Sequence, residues 1–284
     1  MLCQCLPRKM RQACRLTRAC ALPACASGSP RFNRTAEGVR SPRRVLQELL
    51  LAVQFFTRIP ITGRLADWAG FSPELLRSSA AHFPAVGWIV GLTASGIYAL
   101  LAWLMPDSTL SPLVAAVFST VFTVLLTGGF HEDGLADVAD GLGGSLDRER
   151  ALDIMKDSRV GAFGALALVL ALLAKVALLA LLGTGEPLFA WVGAPSEALA
   201  ARWWLPVAAL LGGHVVSRTL PLLVIAWLRH VGDTASSKSK PLADQISTGT
   251  RLFRRRLQGF TGDCLGATQQ VCEIFFYFGL AASL

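Results

Sequence analysis

The stretch that decides the fold is GAFGALALVLALLAKVALLALLG, residues 161–183, in which Lys175 is the only charged residue. A helix of about 20 apolar residues crosses the hydrocarbon core of a bilayer. The stretch therefore predicts a membrane-spanning helix. Three further segments have comparable length and apolarity, 83–105, 110–130 and 203–228. Together they predict an all-α fold, a polytopic membrane helix bundle.

The composition supports a membrane protein with a basic N-terminal extension. Charged residues make up 16% of the chain, against about 25% in a soluble domain. Residues 1–44 hold ten basic residues and one acidic residue, whereas residues 45–284 hold 17 basic and 18 acidic residues. The net charge of +8 thus comes from the extension. It gives no reason to expect that the body binds nucleic acid. We expect one membrane-embedded domain over 45–284.

The extension also holds five of the seven cysteines, at positions Cys3, Cys5, Cys14, Cys20 and Cys25. Their spacing matches no common zinc pattern. The apolar run ACALPACA is too short for a secretory signal, while the Arg-rich, acid-poor composition also suits an organelle-targeting peptide. We expect a disordered extension, or sequence upstream of the true start codon, with a targeting peptide as the alternative.

Two weaker apolar segments flank the four predicted spans. Residues 45–61 carry Glu48 and Arg58 and stop at Pro60, which favours a re-entrant or interfacial helix. The C-terminal VCEIFFYFGLAASL is apolar over about 13 residues, too short to span a bilayer comfortably.

The loops give the orientation of the bundle. Loops 62–82, 131–160 and 229–263 share one side and hold thirteen Lys and Arg residues, whereas the other side holds only Arg202. Positively charged loops stay in the cytoplasm. We therefore expect the loop 131–160 to face the cytoplasm.

An acidic cluster opens that loop, in TGGFHEDGLADVADGLGG, residues 127–144. In a helix, Asp133, Asp137 and Asp140 fall at i, i+4 and i+7, within an arc of about 60°. Carboxylates without cysteine partners favour Mg²⁺, Mn²⁺ or Ca²⁺ over zinc. We predict a metal site, with a solvated loop face as the alternative. His131 is a candidate to orient a ligand or accept a proton, unless it is simply interfacial.

The stretch DRERALDIMKDSRVGAFG, 147–164, predicts a second helix with Asp147 or Ser145 as its N-cap. Two interpretations of Asp153 and Asp157 stay open. They extend the carboxylate set, or they form ion pairs with Arg150, Lys156 or Arg159. The last two of these basic residues are also candidates to neutralise a phosphate.

Basic side chains also lie inside the spans. Lys175 is near the middle of its helix, and His214 and Arg218 are four residues apart on one face of theirs. Such groups normally face a partner or a polar cavity. The polar loop ASSKSKPLADQISTG, 235–249, is a phosphate-binding loop or an ordinary cytoplasmic one. Carboxylates, a divalent metal and basic groups together favour phosphoryl transfer.

The body resembles the adenosylcobinamide-GDP ribazoletransferase family, the bacterial cobalamin (5′-phosphate) synthases. The matching stretches are FFTRIPI (55–61), FPAVGWIVG (83–91), the acidic stretch 127–144, RERALDIMKDSRVGAFG (148–164), SSKSKPLAD (236–244) and GFTGDCLGATQQVCE (259–273). The resemblance implies a Mg²⁺-dependent, multi-pass enzyme of the bacterial inner membrane. In its reaction, α-ribazole or its 5′-phosphate attacks the cobinamide-linked phosphate of adenosylcobinamide-GDP, and GMP leaves.

The resemblance also implies roles for individual residues. The expected metal ligands are Asp133, Asp137, Asp140 and Asp157. Asp140 is alternatively the base that accepts the ribazole hydroxyl proton. His131, proposed above from its position in the acidic stretch, is the second catalytic candidate. The expected substrate-binding residues are Arg58, Lys156, Arg159, Lys238 and Lys240. Asp263 matches a motif position without an assigned role.

The chain departs from the family pattern after Thr250. Relatives have additional hydrophobic sequence between the STG and GFTGD regions, whereas here STGT (247–250) runs directly into RLFRRRLQGFTGD. We interpret this as a deletion of membrane-spanning sequence.

Two rival functions are less compatible with the sequence. A phospholipid-synthesising phosphotransferase keeps a longer spacing between its aspartates. A carrier or permease is expected to show an internal repeat and carboxylates in mid-span, and we detect neither.

Overall fold

The computed structural model describes residues 41–106, 108–184, 203–227, 253 and 256–283. Within these residues the fold is all-helical and has no β-strand, which confirms the predicted class. The helices in chain order are α1 (Pro42–Phe56), α2 (Gly63–Ala69), α3 (Pro73–Ser79), α4 (Phe83–Leu104), α5 (Ser111–Thr127), α6 (Phe130–Gly144), α7 (Arg148–Lys156), α8 (Ala162–Thr184), α9 (Trp204–Trp227) and α10 (Gly262–Ala282).

The predicted spans agree with α4, α5, α8 and α9 to within a few residues. Three stretches among the described residues are long and apolar enough to cross a membrane, Pro73–Leu104, Ala162–Thr184 and Trp204–Ile225. A fourth span is counted if α5 and α6 form one bent crossing, because the 17-residue α5 qualifies only together with α6. Large apolar side chains of α8 such as Leu170 and Leu173 point outward, as lipid contact requires.

The turn between α5 and α6 depends on two glycines. Gly128 and Gly129 both have φ of 70°, in the left-handed region that side chains with a Cβ rarely adopt. The two helices consequently meet at 89°. After this bend, α6 packs against α8 and α10.

The C-terminal helix is longer than the sequence analysis expected. The 13-residue apolar end is only the second half of α10, which has 21 residues, or about 31 Å at 1.5 Å per residue. Its first half carries Gln269 and Gln270, which are both buried. Counting apolar residues missed this half, because its polar side chains face the protein interior and not lipid.

Small residues let the helices approach closely. α4 packs along α9 where Gly87 and Gly91 leave room, and a Cβ on Gly87 would lie 2.6 Å from the carbonyl oxygen of His214. The GWIVG stretch, residues 87–91, therefore lets α4 and α9 pack closely. α10 packs against α6, α8 and α9, so it connects the acidic helix to the spanning helices.

Candidate functional site

The acidic cluster lies on one continuous helix, as the sequence predicts. α6 carries Asp133, Asp137 and Asp140, which are exposed, half-buried and buried respectively. The exposure of these side chains decreases along α6, from its bend with α5 towards its contact with α8. The cluster therefore has one end open to solvent and one end inside the protein.

A fourth carboxylate, Asp263, joins the cluster from the first turn of α10. Gly134 lies directly against Asp263, since a Cβ on Gly134 would be 2.8 Å from the carbonyl oxygen of Asp263 and 3.1 Å from its Cα. Burial, then the charges of Asp263, Asp133 and Asp140, raise the pKa of Asp137 to about 7. Burial, with a further contribution from Asp133, also raises the pKa of Asp263. These four acidic groups therefore repel one another around Asp137.

Asp140 is held by backbone groups. Its Oδ2 accepts a hydrogen bond from the amide of Gly161 at 2.6 Å, and its Oδ1 accepts one from the amide of Gly164 at 2.8 Å. These amides stand at the start of α8 and have no partner within that helix. Asp140 thus caps α8 from a different helix and joins α6 to a membrane span.

No group of three or more His, Cys, Asp or Glu side chains among the described residues has a geometry that would hold a metal ion by itself. The donors of the cluster are nevertheless hard carboxylate oxygens, which suit Mg²⁺. Mg²⁺ is usually bound by one or two carboxylates together with water and substrate phosphates, so a complete protein cage is not required.

The helix after the cluster begins where the sequence indicates. α7 has Asp147 as its N-cap, whose Oδ1 accepts from the amide of Arg150 at 2.9 Å. Of the two interpretations of the next acidic residues, the structure shows the ion pairs. Lys156 is 3.4 Å from Asp153, and Arg159 is 2.6 Å from Asp157.

Asp157 and Arg159 lie in the short exposed connection between α7 and α8. Hydrogen bonds from Arg159 lower the pKa of Asp157, and the Arg159 side chain is 87% exposed. Asp157 is therefore a carboxylate already paired with a cation. The structure does not bring it into the group around Asp137.

The remaining predicted substrate-binding residues lie in two places. Arg58 is exposed beside the bend between α5 and α6, where its guanidinium lies against Gly128. Its backbone amide donates to the carbonyl of Leu126 at 2.6 Å. Lys238, Lys240 and the polar loop 235–249 fall outside the described residues.

His131 points away from the acidic face. It is 6% exposed, and both of its ring nitrogens lack a hydrogen-bond partner. Its ring lies nearly parallel to that of Phe56, with 6.3 Å between centroids. His131 lines a pocket on the inner side of α6 together with Arg218 and Gln269. Within the described residues, no contact between His131 and the three aspartates of α6 supports the predicted catalytic role.

The basic residues inside the spans face an acidic partner, as predicted. Lys175 on α8 is 2.7 Å from Oε1 of Glu273 on α10, and both side chains are 1% exposed. Nδ1 of His214 is 3.5 Å from the same oxygen, and Arg218 contacts Nδ1 of His214 at 3.0 Å. The partner, Glu273, lies in a matched motif, but the sequence analysis gave it no role.

Further hydrogen bonds extend this buried network to α6. Tyr277 donates to Glu273 at 2.8 Å, and the side-chain amide of Gln269 donates to Glu273 at 2.6 Å and to Ser217 at 3.0 Å. One residue further along α10, Gln270 donates to Glu132 at 2.9 Å. The network therefore ties the acidic helix to α8, α9 and α10.

Comparisons with known proteins agree with these features. The sequence profile of the family described as cobalamin-5-phosphate synthase matches residues 48–252 and 243–281. Adenosylcobinamide-GDP ribazoletransferase of Polaromonas naphthalenivorans (strain CJ2) is 61% identical over 278 residues, covering 84% of this chain and 99% of the relative. The corresponding protein of Leptothrix cholodnii is 38% identical over 275 residues, covering 82% of this chain and 94% of the relative. No solved structure matches.

The alignment supports the predicted internal deletion. The 278 aligned residues of the Polaromonas protein correspond to 84% of this 284-residue chain, or about 240 residues. About 40 residues of that relative therefore have no counterpart here. The two profile matches meet between residues 243 and 252, next to Thr250, where the sequence analysis placed the gap. Across this gap both parts of the profile are retained, and the chain belongs to the cobalamin-5-phosphate synthase family, transferases of cobalamin biosynthesis.

Proposed function

We propose that this protein transfers the adenosylcobinamide phosphate moiety of adenosylcobinamide-GDP to α-ribazole or α-ribazole 5′-phosphate, with release of GMP. The reaction takes place at the cytoplasmic side of the bacterial inner membrane and depends on Mg²⁺. The observation that carries the proposal is the group of carboxylates around Asp137, formed where α6 and α10 cross at one end of the bundle.

The site fits a divalent cation on chemical grounds. Asp133, Asp137 and Asp263 bring oxygen donors together, and the neighbouring charges that raise the pKa of Asp137 are all carboxylates. Asp140 has a second lone pair on each oxygen for the same cation, while Asp157 is paired with Arg159. A bound Mg²⁺ would neutralise the phosphates of the donor substrate.

The residues of the chain supply proton transfer and orientation. The ribazole hydroxyl loses its proton as its oxygen attacks the cobinamide-linked phosphorus, and the bond from that phosphorus to the oxygen of GMP breaks. Asp137 is an alternative acceptor of the proton if the neighbouring carboxylates hold the cation, because its pKa in the metal-free site is raised to about 7. Asp140, the base implied by the family resemblance, has both oxygens engaged by the start of α8.

In this proposal, basic residues bind the anionic donor. Arg58 lies at the α5–α6 bend, and Lys156 and Arg159 lie at the end of α7 and just after it. The two lysines at 238 and 240 belong to this proposal on the sequence resemblance alone. Exposed cations of this kind give charge-assisted hydrogen bonds to phosphate oxygens.

The test is a membrane-fraction assay with adenosylcobinamide-GDP and α-ribazole, in Mg²⁺ or in EDTA. We expect equal amounts of GMP and cobalamin product in Mg²⁺, none in EDTA, and at least a 100-fold loss of rate in Asp137→Ala. Glu149→Ala removes an exposed acidic residue from α7 and serves as the matched control. GMP release without a cobalamin product, or full activity of Asp137→Ala, would contradict the proposal.

A further inference from the structure

Two glycine contacts bring α6 and α10 close together. A Cβ on Gly134 of α6 would lie 2.8 Å from the carbonyl oxygen of Asp263, and a Cβ on Gly266 of α10 would lie 3.2 Å from the carbonyl oxygen of His131. Each helix thus presents a glycine to the backbone of the other, which sets how closely they approach. Packing contacts are far less directional than hydrogen bonds. The glycines alone therefore do not prevent one helix from sliding along the other.

One hydrogen bond between side chains supplies the missing direction. Nε2 of Gln270 on α10 donates to Oε1 of Glu132 on α6 at 2.9 Å. The two residues are 3% and 8% exposed. Among the described residues, this is the only side-chain hydrogen bond that the structure shows between α6 and α10. It is therefore the directional contact that fixes the register of the two helices.

Glu132 lies on a different face of α6 from the aspartates. It stands about 80–140° around the helix axis from Asp133, Asp137 and Asp140. Asp133 is exposed, whereas Glu132 is buried against α10. Its second oxygen, Oε2, is buried and has no hydrogen-bond partner among the described residues. The carboxylate of Glu132 thus contacts α10 through Gln270 and is turned away from the open end of the acidic face.

The spacing along α10 links this hydrogen bond to the carboxylates around Asp137. Asp263, Gly266 and Gln270 fall at i, i+3 and i+7, on one face of α10. Gln270 is about 10 Å along the helix axis from Asp263, and a helix holds such a separation precisely. The hydrogen bond at one end therefore determines where Asp263 stands at the other. A Mg²⁺ site needs this precision, because Mg²⁺ demands near-ideal octahedral geometry.

We infer that Gln270 and Glu132 are positioning residues for the cation of the proposed reaction, and that Glu132 is not one of its ligands. Their hydrogen bond fixes the register of α6 and α10, and this register sets the separation of Asp137 and Asp263. The inference rests on the proposed function for the cation itself. It gives Glu132 a different task from Asp133, its neighbour in the sequence.

The test measures the binding of Mn²⁺ alone, which accepts the same oxygen ligands as Mg²⁺. The detergent-solubilised full chain is titrated without substrate, and the electron paramagnetic resonance signal of free Mn²⁺ gives the affinity. In Gln270→Leu, α6 and α10 lose their directional contact. We expect the affinity for Mn²⁺ to fall by at least about tenfold, as it does when residues that orient metal ligands are removed.

Gln269→Leu is the matched control, because it removes the same amide from the neighbouring position of α10. Gln269 is 1% exposed, and its hydrogen bonds go to Ser217 and Glu273. The variant loses buried hydrogen bonds without loosening the contact between Gln270 and Glu132. We expect Gln269→Leu to be less stable than the wild type and to keep the affinity of the wild type for Mn²⁺.

Two further variants separate positioning from metal binding. Glu132→Gln keeps an oxygen that accepts from Gln270 and removes the negative charge. A positioning role predicts unchanged affinity for Mn²⁺, whereas the loss of a ligand would weaken binding as Asp137→Asn does. Gln270→Glu places two carboxylates against each other and should weaken Mn²⁺ binding. Combining it with Glu132→Gln exchanges the two groups, restores a hydrogen bond between an amide and a carboxylate, and should restore the affinity.

The outcomes separate this inference from the proposed function. It would be overturned, even if the transferase assay succeeds, by equal affinities of Gln269→Leu and Gln270→Leu or by a Glu132→Gln variant as weak as Asp137→Asn. If Gln270→Leu does not fold, the exchanged pair decides, and a failure to restore the affinity counts against the inference. Restored Mn²⁺ binding in a protein that releases no GMP would support the positioning pair and contradict the proposed reaction. A wild type that binds no Mn²⁺ would contradict both.

Discussion

At the scale of single residues, the three aspartates of α6 have different tasks. Asp133 is exposed, Asp137 is surrounded by acidic neighbours, and Asp140 is occupied by the amides of α8. The same residue type therefore provides a solvent-facing carboxylate, a group whose pKa is raised to about 7, and a helix cap. The difference comes from what each side chain meets outside its own helix.

The raised pKa of Asp137 predicts a pH-dependent stability in EDTA. Between its unfolded pKa near 3.8 and its folded pKa of about 7, the folded state holds the proton more tightly. Stability is therefore lost as the pH rises through this window. We expect Asp137→Asn to melt at a higher temperature than the wild type at pH 8, and the difference to shrink as the pH is lowered to 5, in a thermal unfolding series.

The control for this series is Glu149→Gln, which removes an exposed charge from α7 and is expected to leave the pH dependence unchanged. Added Mg²⁺ should raise the melting temperature of the wild type at pH 8 and not that of Asp137→Asn. A melting temperature of Asp137→Asn that follows the wild type at every pH would show that Asp137 does not titrate in this range.

The capping role of Asp140 predicts a loss of stability that Asp133 does not share. Asp140→Ala leaves the amides of Gly161 and Gly164 without an acceptor, and the loss of a cap costs about 0.5–2 kcal/mol. Asp133→Ala is the matched control, because Asp133 is exposed on the same helix. Chemical denaturation of the two variants measures the difference, and equal stabilities would refute the cap.

At the scale of helices, the position of α6 is set by glycines at both of its contacts. Gly128 and Gly129 turn the chain through 89°, and Gly134 lets the backbone of α10 approach. These contacts bring Asp263 to the carboxylates of α6. A helix without Gly134 would stand further from α10 and would separate the acidic groups.

Substitution of Gly134 therefore predicts a loss of packing. In Gly134→Ala, the new Cβ meets backbone atoms of Asp263 that cannot rotate away, and such overpacking costs about 1–3 kcal/mol. Gly96→Ala in α4 is the control, because its Cβ meets open space and Ala is the better helix former by about 0.5–1 kcal/mol. In thermal unfolding, the melting temperature of Gly96→Ala should be higher than that of the wild type, and the melting temperature of Gly134→Ala should be lower.

At the scale of the whole molecule, a buried polar network holds the bundle in register. Glu273 of α10 contacts Lys175 of α8, and hydrogen bonds continue to α9 and α6.

Breaking the central ion pair predicts a large loss of stability. Glu273→Gln leaves the ammonium group of Lys175 buried without a counter-charge, which costs about 3–5 kcal/mol. The double variant Lys175→Met with Glu273→Gln removes both charges and should recover most of the loss. Asp153→Asn breaks the exposed pair with Lys156 and should cost less than about 1 kcal/mol.

The measurement is denaturant unfolding of the purified protein in detergent, arranged as a double-variant cycle. If Glu273→Gln is no more destabilised than Asp153→Asn, the buried pair does not hold the bundle together.

The sequence by itself determined the membrane spans, the acidic helix and the family. Apolar runs and the spacing of three aspartates are local properties, since each depends only on residues within one helix. For the same reason the sequence indicated the N-cap of α7 and the need of Lys175 for a partner. The sequence analysis underestimated the length of α10, because the polar side chains of its first half face the protein interior and not lipid.

Only the tertiary structure decided which side chains meet. Glu273 is the partner of Lys175 from almost 100 positions along the chain, and Asp263 approaches Asp137 because two helices cross at Gly134. The structure also shows that Asp140 accepts a hydrogen bond from the start of α8 and that His131 lines the interior pocket. Contacts of this kind depend on how helices pack around one another, which the periodicity of a single helix does not encode.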